Sequence, residues 1–208
     1  MVAIDSPKFK ELLQDAIDLI EFANGDPCTK WGAVRKAMGH EAPFNLEMLG
    51  IGNEQWQTDK YYVKPNWLYE HVDFYDHYPR KVKVFAGEYA AHPLSGMNRP
   101  DANTLGGALA AFLTGIERNA DVVVLASYAP LFARVSYAQW SPDMIWFDGS
   151  TSYVTPSYYV QKLYAENMGD VTLNTLGREK EAAKDKIYYS LSYKEETVKI
   201  YLKSFMTM

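Results

Sequence analysis

The sequence predicts an α/β fold built on a parallel sheet, followed by a stretch of antiparallel strands. Three observations carry this reading. Apolar strand-like runs alternate with helix-period segments between about residues 45 and 127. One of those runs, 121–126 (DVVVLA), is apolar throughout, as strands of a parallel sheet covered on both faces are. After Met168-Gly169-Asp170 the pattern turns polar and alternating, which suits antiparallel strands with one wet face.

Taken in order, Ser6-Pro7 places a capping hydroxyl before a proline at the first helical position. Leu12, Leu13, Ala16, Ile17, Leu19 and Ile20 follow at helical spacing, and Asn24-Gly25-Asp26-Pro27 ends the helix. A shorter helix is expected over 29–38, with Trp31, Val34 and Met38 on one side. The apolar run 46–51 reads as a strand that stops at Gly52-Asn53-Glu54. Tyr61-Tyr62-Val63 reads as another strand end, and Lys64-Pro65-Asn66 turns into a helix through Trp67, Val72 and Tyr75. The run 81–86 (KVKVFA) is a strand ending at Gly87-Glu88. A helix is expected over 101–119, burying Leu105, Leu109, Phe112, Leu113 and Ile116. Residues 187–193 and 198–202 pair as antiparallel strands around 194–197, too few to close a sandwich.

With 48% hydrophobic and 23% charged residues, the chain can bury a core. A net charge of -5 with no basic run argues against nucleic acid as a partner. A single cysteine, Cys28, allows no intrachain disulfide and no cysteine metal cluster. No apolar run is long enough to span a membrane. The first residues lack the pattern of a signal peptide, so the protein is expected to be cytoplasmic, or exported by a signal outside this chain. The 16 Tyr, 5 Trp and 9 Phe either fill the core or supply flat rings on which sugars stack.

Glu54 and Glu88 each sit where a predicted strand runs out, the place where β/α barrels keep their chemistry. Glycoside hydrolysis needs such a pair: one carboxyl to protonate the leaving oxygen, the other to attack or stabilise the anomeric carbon. Taken alone, either glutamate reads more readily as a solvated loop residue. It is their equivalent placement that makes them candidates. Asn53 is placed to hydrogen-bond a sugar hydroxyl or to make a local turn. Tyr62 is placed to steady a carboxylate or to pack.

Longer stretches carry a resemblance. LLQDAIDLIEFANGD, WGAVRKAMGHEAPFNLEMLGIGNEQW, VKVFAGEYAAH, DVVVLASYAPLF and QWSPDMIWFDGSTSYVTPSYYVQKLY, in that order, cover most of residues 10–170. Together they resemble glycoside hydrolase family 51, mainly α-L-arabinofuranosidases. The resemblance implies a partial TIM (β/α)8 barrel over 1–168, followed by the start of a C-terminal β-sandwich over 169–208. It implies Glu54 as acid/base, Glu88 as nucleophile, Asn53 on the sugar 2-hydroxyl and Tyr62 as the tyrosine that orients the nucleophile. Trp140, Asp143 and Trp146 fall in a stretch resembling the loop that rims the subsite. The implied reaction removes terminal α-L-arabinofuranosyl groups from arabinan, arabinoxylan or arabino-oligosaccharides with retention, and needs no metal or organic cofactor. Two readings stay open beside it: a non-catalytic carbohydrate-binding or scaffold remnant, and a glycosidase acting on another sugar.

The chain also departs from the family. The first three barrel strands would lie upstream of Met1. Only QWQTDK separates Glu54 from Tyr61, too short for the helix and strand the family carries there. The sequence thus reads as a trimmed version of a larger enzyme. A half-barrel exposes apolar strand edges, so self-association is expected.

Overall fold

The computed structural model describes residues 6–50, 60–81, 83–92, 102–138, 142–175 and 177–206. Contacts within the chain divide it into two units, Met1–Asn53 and Glu54–Met208.

In the first unit, helix α1 (Pro7–Asn24) begins as its sequence dictates, with Pro at the start and the Ser6 hydroxyl accepting from the Phe9 amide at 3.1 Å. Helix α2 (Lys30–Ala37) is capped in the same way by Thr29, whose Oγ1 accepts from Gly32 N. Arg35 on α2 is fully buried and holds the unit together. Its guanidinium donates to the carbonyls of Phe22 (2.7 Å), Gly25 (2.8 Å), His40 (3.1 Å) and Glu41 (3.1 Å). Two of these bonds occupy carbonyls at the end of α1, which lack partners within the helix, and the other two hold the chain that follows α2.

The expected strand over 46–51 is not formed: 46–50 carry no regular structure, and Ile51 lies outside the described residues. A strand needs a partner for its backbone groups. Here the Asn24 side chain supplies one instead, accepting from Leu46 N and donating to Leu46 O, both at 2.7 Å.

The second unit is built on a three-stranded parallel sheet in the order β1 (Lys60–Val63), β2 (Val84–Ala91), β3 (Val123–Tyr128). Helix α3 (Pro65–Glu70) lies between β1 and β2, and helix α4 (Ala102–Arg118) between β2 and β3. This β-α-β-α-β order is what the alternating pattern predicts. The core forms where Val84, Ala86 and Val123 of the sheet meet Leu68 of α3 and Leu105, Leu109 and Phe112 of α4. Gly115 lets α4 approach the chain after α3, because a Cβ there would stand 1.9 Å from the Val72 carbonyl oxygen.

Two expectations about this sheet are corrected. β2 does not end at Gly87 but runs on to Ala91, because β1 lies alongside and pairs with Glu88 through Ala91. β3 is not covered on both faces among the described residues: Val124, Leu125 and Ala126 are exposed.

Past β3, a cis Ala129-Pro130 peptide leads into a small second sheet. There β4 (Phe132–Arg134) pairs parallel with β5 (Ile145–Phe147), which pairs antiparallel with β6 (Ser152–Val154). Helix α5 (Pro156–Glu166) then packs beside α4. The last segment holds β7 (Val171–Thr172), α6 (Glu179–Lys184) and the hairpin of β8 (Ile187–Lys194) and β9 (Lys199–Met206), as the alternating pattern predicts.

Lys203 of β9, 3% exposed, reaches Glu117 of α4 at 2.5 Å. Ser190 and Ser192 of β8 donate to the same carboxylate, at 2.5 and 3.3 Å. The third sheet, which is antiparallel, is therefore tied to the helix layer by a buried, multiply bonded charge pair.

Candidate active site

On β2, Val84 and Ala86 point into the core, so strict alternation would send Glu88 there as well. The pairing of β2 with β3 shifts between Ala86 and Tyr89. Such an irregularity inserts a step in the pleat and re-aims the next side chains. Tyr89 turns into the core, and Glu88 comes out on the other face. The Ser127 hydroxyl of β3 donates to the Gly87 carbonyl and clamps the strand pair at this point.

On β1, Tyr62 pairs in register with Ala90, two residues beyond Glu88. Its phenol donates to Glu88 Oε2 at 2.6 Å. A charge-assisted hydrogen bond of this length sets the rotation of the carboxylate. Tyr62 and Glu88 are thus brought together by the register of one parallel strand pair.

Behind this face, between the sheet and α5, lies a polar layer that the sequence reading did not single out. The buried Tyr89 phenol donates to Gln161 Oε1 of α5 at 2.8 Å. Tyr89 also packs edge-on against Tyr128 of β3, with ring centroids 5.9 Å apart. Tyr128 donates to the Pro142 carbonyl. Burial pushes the Tyr128 phenol up to about 12 and Tyr89 higher still, so both remain neutral donors at physiological pH. The signal for this layer is the pairing of Tyr89 with Tyr128, which appears only once the register is known.

Asp143 belongs to the same region. It is 3% exposed, and its Oδ2 has no hydrogen-bond partner among the described residues. Loss of solvent pushes its carboxyl above the ordinary range. Its backbone oxygen accepts from the Trp146 indole at 3.0 Å. Asn53, Glu54 and Trp140 lie outside the described residues. Among the described residues, no group of three or more His, Cys, Asp or Glu is arranged to hold a metal. Nor is any helix long and apolar enough to cross a membrane.

Comparison with known proteins connects this geometry to a family. Residues 87–207 match the family described as "Alpha-L-arabinofuranosidase C-terminal domain", and residues 2–103 match "Alpha-L-arabinofuranosidase 1 domain". An "Extracellular exo-alpha-L-arabinofuranosidase" of Streptomyces chartreusis is 38% identical over 219 residues, covering 80% of this chain and 26% of that protein. "Alpha-L-arabinofuranosidase 2" of Arabidopsis thaliana is 34% identical, covering 83% of this chain and 32% of its own length. Among solved structures, an arabinose-bound α-L-arabinofuranosidase, MgGH51, superposes with a TM-score of 0.67 at 28% identity, over 95% of this chain and 40% of that one. The enzyme of Thermotoga maritima, at 16% identity and a TM-score of 0.52, shares the fold. The chain spans about a third or less of the length of these curated relatives.

Proposed function

The chain belongs to the α-L-arabinofuranosidase family, and from that membership and the Tyr62–Glu88 geometry we propose that it carries the catalytic carboxylates of a retaining arabinofuranosidase. Glu88 is the nucleophile. Its carboxylate is oriented by the Tyr62 phenol, and this contact is the single observation that supports the reading most directly. Glu54 is the acid/base. It protonates the leaving oxygen while Glu88 attacks the anomeric carbon, giving a covalent arabinosyl-enzyme; it then takes a proton from water, which releases the sugar with retention. This requires the two carboxyl groups to stand about 5 Å apart. Asn53 contacts the sugar 2-hydroxyl, and Trp140 and Asp143 complete the subsite. The substrates are arabinose-containing oligo- or polysaccharides.

In this reading the three parallel strands and their helices belong to a partial (β/α)8 barrel over residues 1–168, and 169–208 open a C-terminal β-sandwich. Glu88 then lies toward the C-terminal ends of the strands, where barrel enzymes keep their sites.

Release of 4-nitrophenol from its α-L-arabinofuranoside tests the proposal. We expect turnover that Glu88→Ala abolishes, with the α-anomer as first product by proton NMR. Turnover unaffected by Glu88→Ala sinks the assignment. Binding of arabino-oligosaccharide without turnover would assign a carbohydrate-binding role instead.

A further inference from the structure

The strand that carries Glu88 is irregular at that residue. Ala86 pairs with Ala126 and Tyr89 with Tyr128, so Gly87 and Glu88 together stand opposite a single residue of β3, Ser127. Two residues against one make a β-bulge. The bulge resets the alternation: Val84 and Ala86 face the core before it, and Tyr89 does so after it. Without the extra residue, every later side chain of β2 would change sides and Glu88 would face inward. The bulge therefore decides which way Glu88 faces, and the register of β1 decides what it meets there.

A bulge leaves backbone groups of its extra residue without ladder partners. Here the Ser127 hydroxyl donates to the Gly87 carbonyl, so a side chain supplies a bond that the ladder does not. The residues on either side are fixed by burial. Ala86 is fully buried, and the buried Tyr89 phenol donates to Gln161 Oε1 at 2.8 Å. Gly87 has no side chain to pack, and a glycine backbone is the most permissive of all. A Cβ built on it would meet nothing within 4 Å beyond its chain neighbours, so close packing does not hold this residue. On the β3 side, the hold on the bulge among the described residues is the Ser127 hydroxyl, bonded one residue before the carboxylate. Ser127 is itself exposed, so its hydroxyl is not there to fill the core.

We propose that Ser127 is a positioning residue for the Glu88 carboxylate: its hydroxyl holds the Gly87–Glu88 bulge in the form that turns Glu88 toward the Tyr62 phenol. Its consequence for catalysis rests on the arabinofuranosidase reading of Glu88, but its first test needs no turnover. The chain is labelled with carbon-13 at the glutamate δ-carbons, and the Glu88 signal is assigned by its loss in Glu88→Gln. Tyr62→Phe marks the position this signal takes without the phenol bond. In Ser127→Ala the signal should move toward that position or broaden. In Ser127→Thr, which keeps a hydroxyl, it should stay with the wild type. Ser127→Val has the shape of the threonine variant without the hydroxyl and should behave as Ser127→Ala. It replaces the alanine variant if circular dichroism and thermal unfolding show that the latter does not fold. In turnover of the 4-nitrophenyl arabinofuranoside, kcat should fall about ten- to a hundredfold in Ser127→Ala with KM little changed, and recover in Ser127→Thr. A folded Ser127→Ala whose Glu88 signal coincides with the wild type overturns the proposal. So does a Glu88 signal that ignores Tyr62→Phe, or one displaced equally by alanine and threonine. If the signals behave as expected but the chain releases no 4-nitrophenol, or its kcat ignores Ser127→Ala, the positioning of the carboxylate stands and its role as nucleophile falls instead.

Discussion

At the scale of single residues, the candidate site turns on one hydrogen bond. Tyr62→Phe removes the phenol that holds Glu88 and leaves the ring in place. A bond to a charged group contributes roughly 1.5–3 kcal/mol, so kcat/KM for the aryl arabinofuranoside should fall about ten- to a hundredfold. An unchanged value would show that the phenol does not orient the reacting carboxylate. The sequence made Glu88 and Tyr62 visible as candidates, through a glutamate near a strand end and a tyrosine on a neighbouring strand. Their contact was implied only by the family resemblance, because residue pattern alone does not give the register of β1 against β2. Asp143 was visible only through its family stretch, and its burial was not. Burial raises its pKa in the folded chain, so the folded state binds this proton more tightly than the unfolded state. Its contribution to stability is therefore most favourable below the ordinary carboxylate range and is lost as pH rises through the folded pKa. Asp143→Asn removes that penalty. Urea unfolding at pH 4 and pH 7 should show the variant gaining on the wild type as pH rises. A difference that does not change with pH would mean the carboxyl is not desolvated.

Whole elements answer to patterns that sequence shows well, and to packing that it shows poorly. The limits of α1 were legible because Ser6-Pro7 and Asn24-Gly25 are chemical start and stop signals. The β8–β9 hairpin was legible from alternation. The strands β4, β5 and β6 were not, since three residues give too short a run for any period to stand out. The tie between the hairpin and α4 was equally hidden: Glu117 and Lys203 are 86 residues apart, and each reads alone as a surface charge. Their contact is buried, so cutting one partner leaves an uncompensated charge. Lys203→Met should destabilise the chain by about 3–5 kcal/mol in urea unfolding. Adding Glu117→Gln should recover part of that loss, since the stranded carboxylate is then gone. Full additivity of the two changes would show that they act independently. Gly115→Ala tests the α4 packing in the same assay. A Cβ facing the backbone oxygen of Val72 cannot be relieved by turning a side chain, so a loss of about 1–3 kcal/mol is expected.

For the molecule as a whole, the decisive feature is the face of the parallel sheet turned away from α4. Phe85 and Leu125 pair in register on it, each 48% exposed, on the same side as Tyr62 and Glu88. Among the described residues β1 and β3 are both edge strands, with backbone groups open to pairing. A closed barrel would bury this face and both edges; the three strands among the described residues do not close one. Apolar area of this kind drives association, and strand edges give that association direction. Sedimentation velocity should therefore show species larger than one chain whose fraction rises with protein concentration. Because the force is burial of apolar surface rather than charge pairing, raising the salt from 0.1 to 1 M, a change that shortens the screening length from about 10 to 3 Å, should not dissolve them. Leu125→Lys places a charge in the middle of the face and should return the chain to a single-chain species while leaving α4 and its core untouched. A single species of one chain at every concentration would mean that the face is covered within the monomer. Association that salt abolishes would point to the chain's charges instead.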